Sequence, residues 1–156
     1  MQVDVLVHGS KASVESQVSE VQKYPGLNKI WTAESDNLEN PYGGALSGIA
    51  KSLIDSQGYT QVVAASSGFG KDVIPRLGGL LDLQPITDVC EIHDGGAKFV
   101  RPIYAGNAMC TVSTIDAIKL LTVRGTNFDK VKQGDAAGYS TEAVAGVDDI
   151  LGGQQG

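Results

Sequence analysis

The sequence predicts an α/β fold: a three-layer, doubly wound, mostly parallel sheet with antiparallel strands added in the second half. Three observations carry this. Up to about residue 81, short apolar runs alternate with segments whose apolar residues recur at helical spacing. Strands alternating with helices imply a parallel sheet with right-handed crossovers. Beyond that point helical spacing stops, and strand-like runs follow one another across short turns. The 156 residues, 42% of them apolar, suit one domain. A domain of that size buries roughly 70% of the surface its unfolded chain exposes.

Val3 to Val7 alternates and ends in His8-Gly9-Ser10, a strand and a turn. Ser10 is placed to cap the next segment. There Val14, Val18 and Val21 share a helical face until Tyr24-Pro25-Gly26 stops it. Leu27 to Ala33 is a second short strand, and the polar stretch Glu34 to Asn40 leads to Pro41. Leu46, Ile49, Ala50, Leu53 and Ile54 then form a stripe wide enough to lie on a sheet, closed by Gly58. Gln61 to Ala65 is a continuous apolar run, expected of a strand covered on both faces. Ser66-Ser67-Gly68 turns the chain into a third helix lined by Val73, Ile74, Leu77, Leu80 and Leu81. Pro75 is expected to kink it.

In the second half Asp88 to His93, Lys98 to Tyr104, Ala108 to Val112 and Lys119 to Val123 read as strands. Asp94-Gly95-Gly96 is a hairpin-type turn. These strands are expected to add antiparallel to the edge of the parallel sheet. From Lys132 to Gly156 glycine is frequent and large apolar residues are few. A domain over residues 1–130 is therefore expected, with residues 131–156 a linker or mobile tail carrying weak helix potential at Val147 to Leu151.

The net charge is −6, which disfavours phosphate backbones and anionic lipid surfaces, so neither nucleic acid nor membrane is expected as a partner. No apolar run is long enough to span a bilayer, and the N-terminal residues show no targeting pattern. Cys90 and Cys110 lie in apolar strand-like runs without a CxxC spacing, and read as buried reduced thiols. With only His8 and His93, no metal site is expected.

Ser66 to Lys71 follows a strand and opens a helix, where amides and the helix dipole can cradle an anion. It fails as a P-loop, which would need Gly at Ala65 and Ser or Thr at Asp72. It stands as a structural strand-to-helix turn, with anion binding the second reading. Lys71 and Arg76 share the following helix; Arg101 and Arg124 sit in strand-like or strand-end settings. Such residues pair with carboxylates, cap carbonyls or bind ligands. Gly106-Asn107 reads as a bulge or tight turn, with Asn107 tolerating the left-handed conformation. Asp82 and Asp88, flanking Pro85, read as turn carboxylates. No nucleophile–base set or carboxylate pair emerges, so no catalytic residues are expected.

Three strings, FGKDVIPRLGGLLDLQPITDV (Phe69 to Val89), VRPIYAGNAMCTV (Val100 to Val112) and TVRGTNFD (Thr122 to Asp129), resemble the electron-transfer flavoprotein alpha subunit in order and spacing. The resemblance runs from about Val3 to Asp129 and points to that subunit's N-terminal domain. It implies a Rossmann-like sheet of the nucleotide alpha-hydrolase type. It also implies a heterodimer with a beta subunit and one FAD. That heterodimer carries electrons from flavin dehydrogenases, such as acyl-CoA dehydrogenases, to a quinone oxidoreductase. The compartment implied is the mitochondrial matrix in a eukaryote or the cytoplasm in a bacterium.

In that family FAD sits mainly in a second domain, so no cofactor is expected in this chain. Relative to the family pattern, the FAD domain and a first strand-helix unit are absent, and the chain is expected to be a piece of a longer molecule. Arg76, Arg101, Tyr104, Asn107 and Arg124 are the expected interface and structural residues. The alternative is a free-standing α/β domain binding AMP or another nucleotide at Ser66 to Lys71.

Overall fold

A computed structural model describes residues 1–153. The elements run β1 (Asp4–Gly9), α1 (Lys11–Val21), β2 (Lys29–Glu34), α2 (Gly43–Gln57), β3 (Gln61–Ala65), α3 (Gly68–Leu81) and β4 (Ile86–Val89). They continue with β5 (Glu91–His93), β6 (Lys98–Ile103), β7 (Ala108–Val112), β8 (Lys119–Val123), β9 (Ser140–Ala143) and α4 (Val147–Gly153). The α/β class and the predominance of parallel pairing are as the sequence predicts. The chain divides into two compact units, Met1–Pro41 with the chain from Lys130 onward, and Tyr42–Asp129.

The first unit holds a parallel sheet of order β1-β2-β9. Val7, Val14 and Ile30 form its buried centre, so the valines at helical spacing on α1 do face the sheet. Ser10 occupies the N-cap position of α1, but its side chain makes no capping bond. The backbone closes the turn instead, Val14 N–H donating to the Ser10 carbonyl at 2.9 Å.

The glycine-rich stretch expected as a mobile tail differs in the structure. Ser140–Ala143 pairs with β2, and Val144 N–H extends the ladder to the Thr32 carbonyl at 2.8 Å. Gln22 holds Tyr139 from both sides, donating to its carbonyl and accepting its amide. Val144, Val147 and Leu151 are buried. The side chains of β9 are all exposed, so this strand forms through its backbone and leaves no apolar period to read. The last three residues of the expected tail, 154–156, lie outside the described residues.

The second unit holds a parallel sheet of order β3-β8-β4 and an antiparallel set of order β5-β6-β7. Lys119 to Val123 is therefore not an antiparallel addition. It is the central strand, parallel to both neighbours. The reason is its apolarity on both faces. Leu120 packs with Ile54, Ile74 and Leu77 beneath the helices, whereas Leu121 packs with Ile86, Val89 and Phe99. A strand buried on two sides belongs in the middle of a sheet.

β3, expected to be covered on both faces, is an outer strand among the described residues, and Val63 is 55% exposed. The helices follow the predicted stripes. Leu46, Ile49, Leu53 and Ile54 of α2 are buried, and Gly58 ends the helix at φ 71°. Asp94, Gly95 and Gly96 make the β5–β6 hairpin with φ of 51°, 65° and 92°. Of the two cysteines, Cys90 is buried and Cys110 only partly so.

Candidate functional site

In the second unit, the end of β4, the β6–β7 turn and the end of β8 line an open, solvent-facing cavity of about 470 Å³. Asp88, Arg101 and Arg124 bring charge to it, and Tyr104, Ala105 and Gly106 form one wall. Asp88 reaches it through a bulge. Ile86 pairs with Leu121 and Val89 with Val123, so β4 spends one more residue than β8 over the same span. A bulge re-aims a side chain, and Asp88 takes φ 59° there. Buried Thr122 fixes the distortion. Its hydroxyl accepts the Asp88 amide at 2.9 Å and the Ser66 hydroxyl at 2.9 Å.

The opposite wall is equally constrained. Tyr104, Ala105 and Gly106 have φ of 50°, 55° and 90° in succession. Asn107 is right-handed, at φ −76°, and its amide donates to the Tyr104 carbonyl at 3.1 Å. The left-handed position expected of Asn107 thus falls on residues before it. The adjoining ladder pairs Arg101 with Cys110 and Pro102 with Met109, which ends with Tyr104 projecting into solvent at 78% exposure.

Lys71 Nζ and Arg124 Nε stand 3.4 and 3.7 Å from Asp88 Oδ1. Desolvation pushes the Asp88 pKa up. The Ser66 hydroxyl, Lys71 and Arg124 push it down and prevail, so the carboxyl titrates below its usual range.

Arg101, Tyr104 and Arg124, singled out from the sequence, therefore meet at one cavity. Asn107 closes the adjoining turn from an exposed position. Arg76 stands apart on the exposed side of α3. Asp88 is not the turn carboxylate that the sequence suggests; it is a strand-bulge residue at the centre of the cluster. Asp82 does serve as the left-handed end of α3, at φ 54°.

The Ser66 to Lys71 turn is consumed by packing. Ser67 Oγ accepts the Gly70 amide at 3.1 Å, a conventional N-cap. Asp72 is engaged with the start of α2, its carboxylate accepting the Gly43 amide at 2.6 Å. No helix among the described residues is long and apolar enough to cross a membrane.

Residues 1–149 match the family described as "Electron transfer flavoprotein domain". The chain is 39% identical over 131 residues to a probable mitochondrial electron transfer flavoprotein subunit alpha of Cryptococcus neoformans var. grubii, covering 83% of this chain and 38% of that protein. It is 37% identical to the mitochondrial subunit alpha of Arabidopsis thaliana, over 81% of this chain and 35% of the relative. It is 34% identical to a probable subunit alpha of Caenorhabditis elegans, over 94% of this chain and 43% of the relative. The chain thus spans about two fifths of the length of these relatives. A match along nearly the whole of this sequence, on an α/β fold of the expected class, shows that the chain belongs to the electron transfer flavoprotein family.

Proposed function

We propose that this chain supplies the scaffold region of an electron transfer flavoprotein alpha subunit. In the complete protein that subunit pairs with a beta subunit and shares one FAD. The assembly accepts electrons from flavin dehydrogenases such as acyl-CoA dehydrogenases and passes them to a quinone oxidoreductase. The observation that carries this reading is the family match over residues 1–149, shared with relatives named as alpha subunits. Their mitochondrial names support a matrix location if the source is a eukaryote; a bacterial protein would work in the cytoplasm.

On this reading the chain is an electron-carrier component without catalytic residues of its own, and FAD is held outside it. Arg76, Arg101, Tyr104, Asn107 and Arg124 serve the partner surface and the turns beneath it. Tyr104 supports that role: it is a large, exposed aromatic on a turn of fixed geometry, the residue type that anchors interfaces.

Co-expression with an affinity-tagged electron transfer flavoprotein beta subunit tests the proposal. The expected result is a one-to-one complex on size-exclusion chromatography, weakened by Tyr104→Ala. A chain that elutes alone overturns it. A stoichiometric flavin band in the isolated 156-residue chain would contradict the placement of FAD outside this region.

A further inference from the structure

The chain is acidic, with net charge −6, yet cations collect around Asp88. Lys71 and Arg124 pair with it, and Arg101 joins Arg124 in lining the cavity. Among the described residues no other carboxylate lies within ion-pair distance of these three cations, and Arg101 has no ion pair at all. One carboxylate against three cations leaves positive charge that the chain does not neutralise. Asp88 is the inner member of the group. Its side chain is 24% exposed, whereas Lys71 is 51% and Arg124 45% exposed. An ammonium has three donors and a guanidinium five, more than one carboxylate oxygen can use. The solvent side of both cations is therefore free to take a second anion.

The surroundings favour a protein as the source of that anion. The cavity is open to solvent, whereas a small-molecule site encloses most of its ligand. Tyr104 stands exposed on the cavity wall, and Met109 is exposed on the adjoining strand β7. Arg, Tyr and Met are the residue types enriched in protein interfaces. The left-handed backbone of Tyr104 and Ala105 presets the direction of the aromatic ring. A preset anchor lowers the ordering cost of association.

We propose that this cationic rim docks an acidic segment of the partner protein, with a carboxylate side chain on Lys71 and Arg124 and an apolar neighbour against Tyr104. Both cations lie within 3.7 Å of the same Asp88 oxygen, close enough together for one incoming carboxylate to meet both. Arg101, half-buried and unpaired, adds its charge to the field that attracts the segment. The inference rests on the scaffold reading and adds to it the chemistry of the partner surface. Charges so placed steer association and fix register.

Analytical ultracentrifugation of the full chain, co-expressed with the electron transfer flavoprotein beta subunit, tests it at about 50 and about 300 mM sodium chloride, which span the onset of strong screening. The Kd is expected to rise at least about tenfold between the two. Arg124→Gln should raise the Kd at the lower salt by about five- to tenfold and flatten its salt response, which a purely structural role would not do. Circular dichroism confirms that the variant is folded, and Arg101→Gln takes its place if it is not. Absence of a complex at either salt overturns the scaffold reading and this inference together. A complex whose Kd ignores salt overturns the inference alone. So does a folded variant with the wild-type Kd and salt response, or one whose complex is too tight to dissociate at the higher salt. Dimerisation of the chain by itself would make the occupant a second copy and overturns it as well.

Discussion

Gly70 and Ala65 pack so closely that a β-carbon on residue 70 would lie 1.9 Å from the Ala65 carbonyl oxygen. The start of α3 therefore crosses the end of β3 in backbone-to-backbone contact. The obstacle is main chain, which cannot swing aside. Gly70→Ala should destabilise the protein by about 3 kcal/mol, at or above the upper end of ordinary overpacking. Gly79, further along α3, meets nothing within 4 Å. Gly79→Ala should stabilise by about 0.5–1 kcal/mol through the lower entropy of the unfolded chain. Denaturant unfolding of the two variants checks both signs, and a neutral Gly70→Ala would show that the contact is not as tight as stated.

The central position of β8 predicts a steep contrast along one rung of the sheet. Leu121 is 1% exposed and pairs with Val63 of β3, which is 55% exposed. Leu121→Ala should cost about 2–5 kcal/mol, because it opens a cavity in the cluster with Ile86, Val89 and Phe99. Val63→Ala should cost under about 1 kcal/mol, since its side chain buries only part of its surface. Urea midpoints give both numbers. Similar costs at the two positions would contradict the assignment of β8 as the covered strand and β3 as the outer one.

Ala105 holds φ 55° and ψ 30° with no glycine's freedom to do so. The left-handed region costs a residue with a β-carbon roughly 1–2 kcal/mol. Glycine removes that cost but adds unfolded-state entropy of roughly 0.5–1 kcal/mol. Ala105→Gly should therefore raise stability by up to about 1 kcal/mol. Ala105→Val, β-branched at the same φ, should lower it by more than that. Thermal unfolding distinguishes the pair, and a destabilised glycine variant would mean the turn is not strained at this residue.

What the sequence disclosed follows from the range over which each feature is determined. The α2 stripe, the Gly58 stop and the Asp94-Gly95-Gly96 hairpin are set within a few residues, so periodicity and turn chemistry reveal them. The direction of β8 is not local. Leu120 and Leu121 announce burial on both sides, but not that the chain returns between β3 and β4. β9 is still less visible, because its four exposed side chains show no apolar period, and its backbone ladder to Lys29–Thr32 and the Lys29–Glu142 ion pair join residues more than a hundred positions apart. At the site, Arg101, Tyr104 and Arg124 drew notice as residue types. Asp88 reads from the sequence only as a turn carboxylate, because its role comes from a bulge one residue long, fixed by Thr122 more than thirty residues away in sequence.

His8 gives the stability of the first unit a dependence on pH whose sign is determined. Burial on β1 disfavours the imidazolium and lowers the His8 pKa from the ordinary value of 6.5. The unfolded chain therefore takes up a proton more readily than the folded one. Stability from this group is complete above about pH 6.5 and falls as the pH drops toward the folded-state pKa. Wild type should lose stability on going from pH 7 to pH 5, and His8→Gln should lose less. His93, exposed beside Glu91 on the β5–β6 hairpin, is common to both proteins, and its contribution cancels in the difference. Urea unfolding at half-unit intervals of pH measures that difference. Parallel curves for the two proteins would show that His8 is charged as readily in the folded state as in the unfolded one.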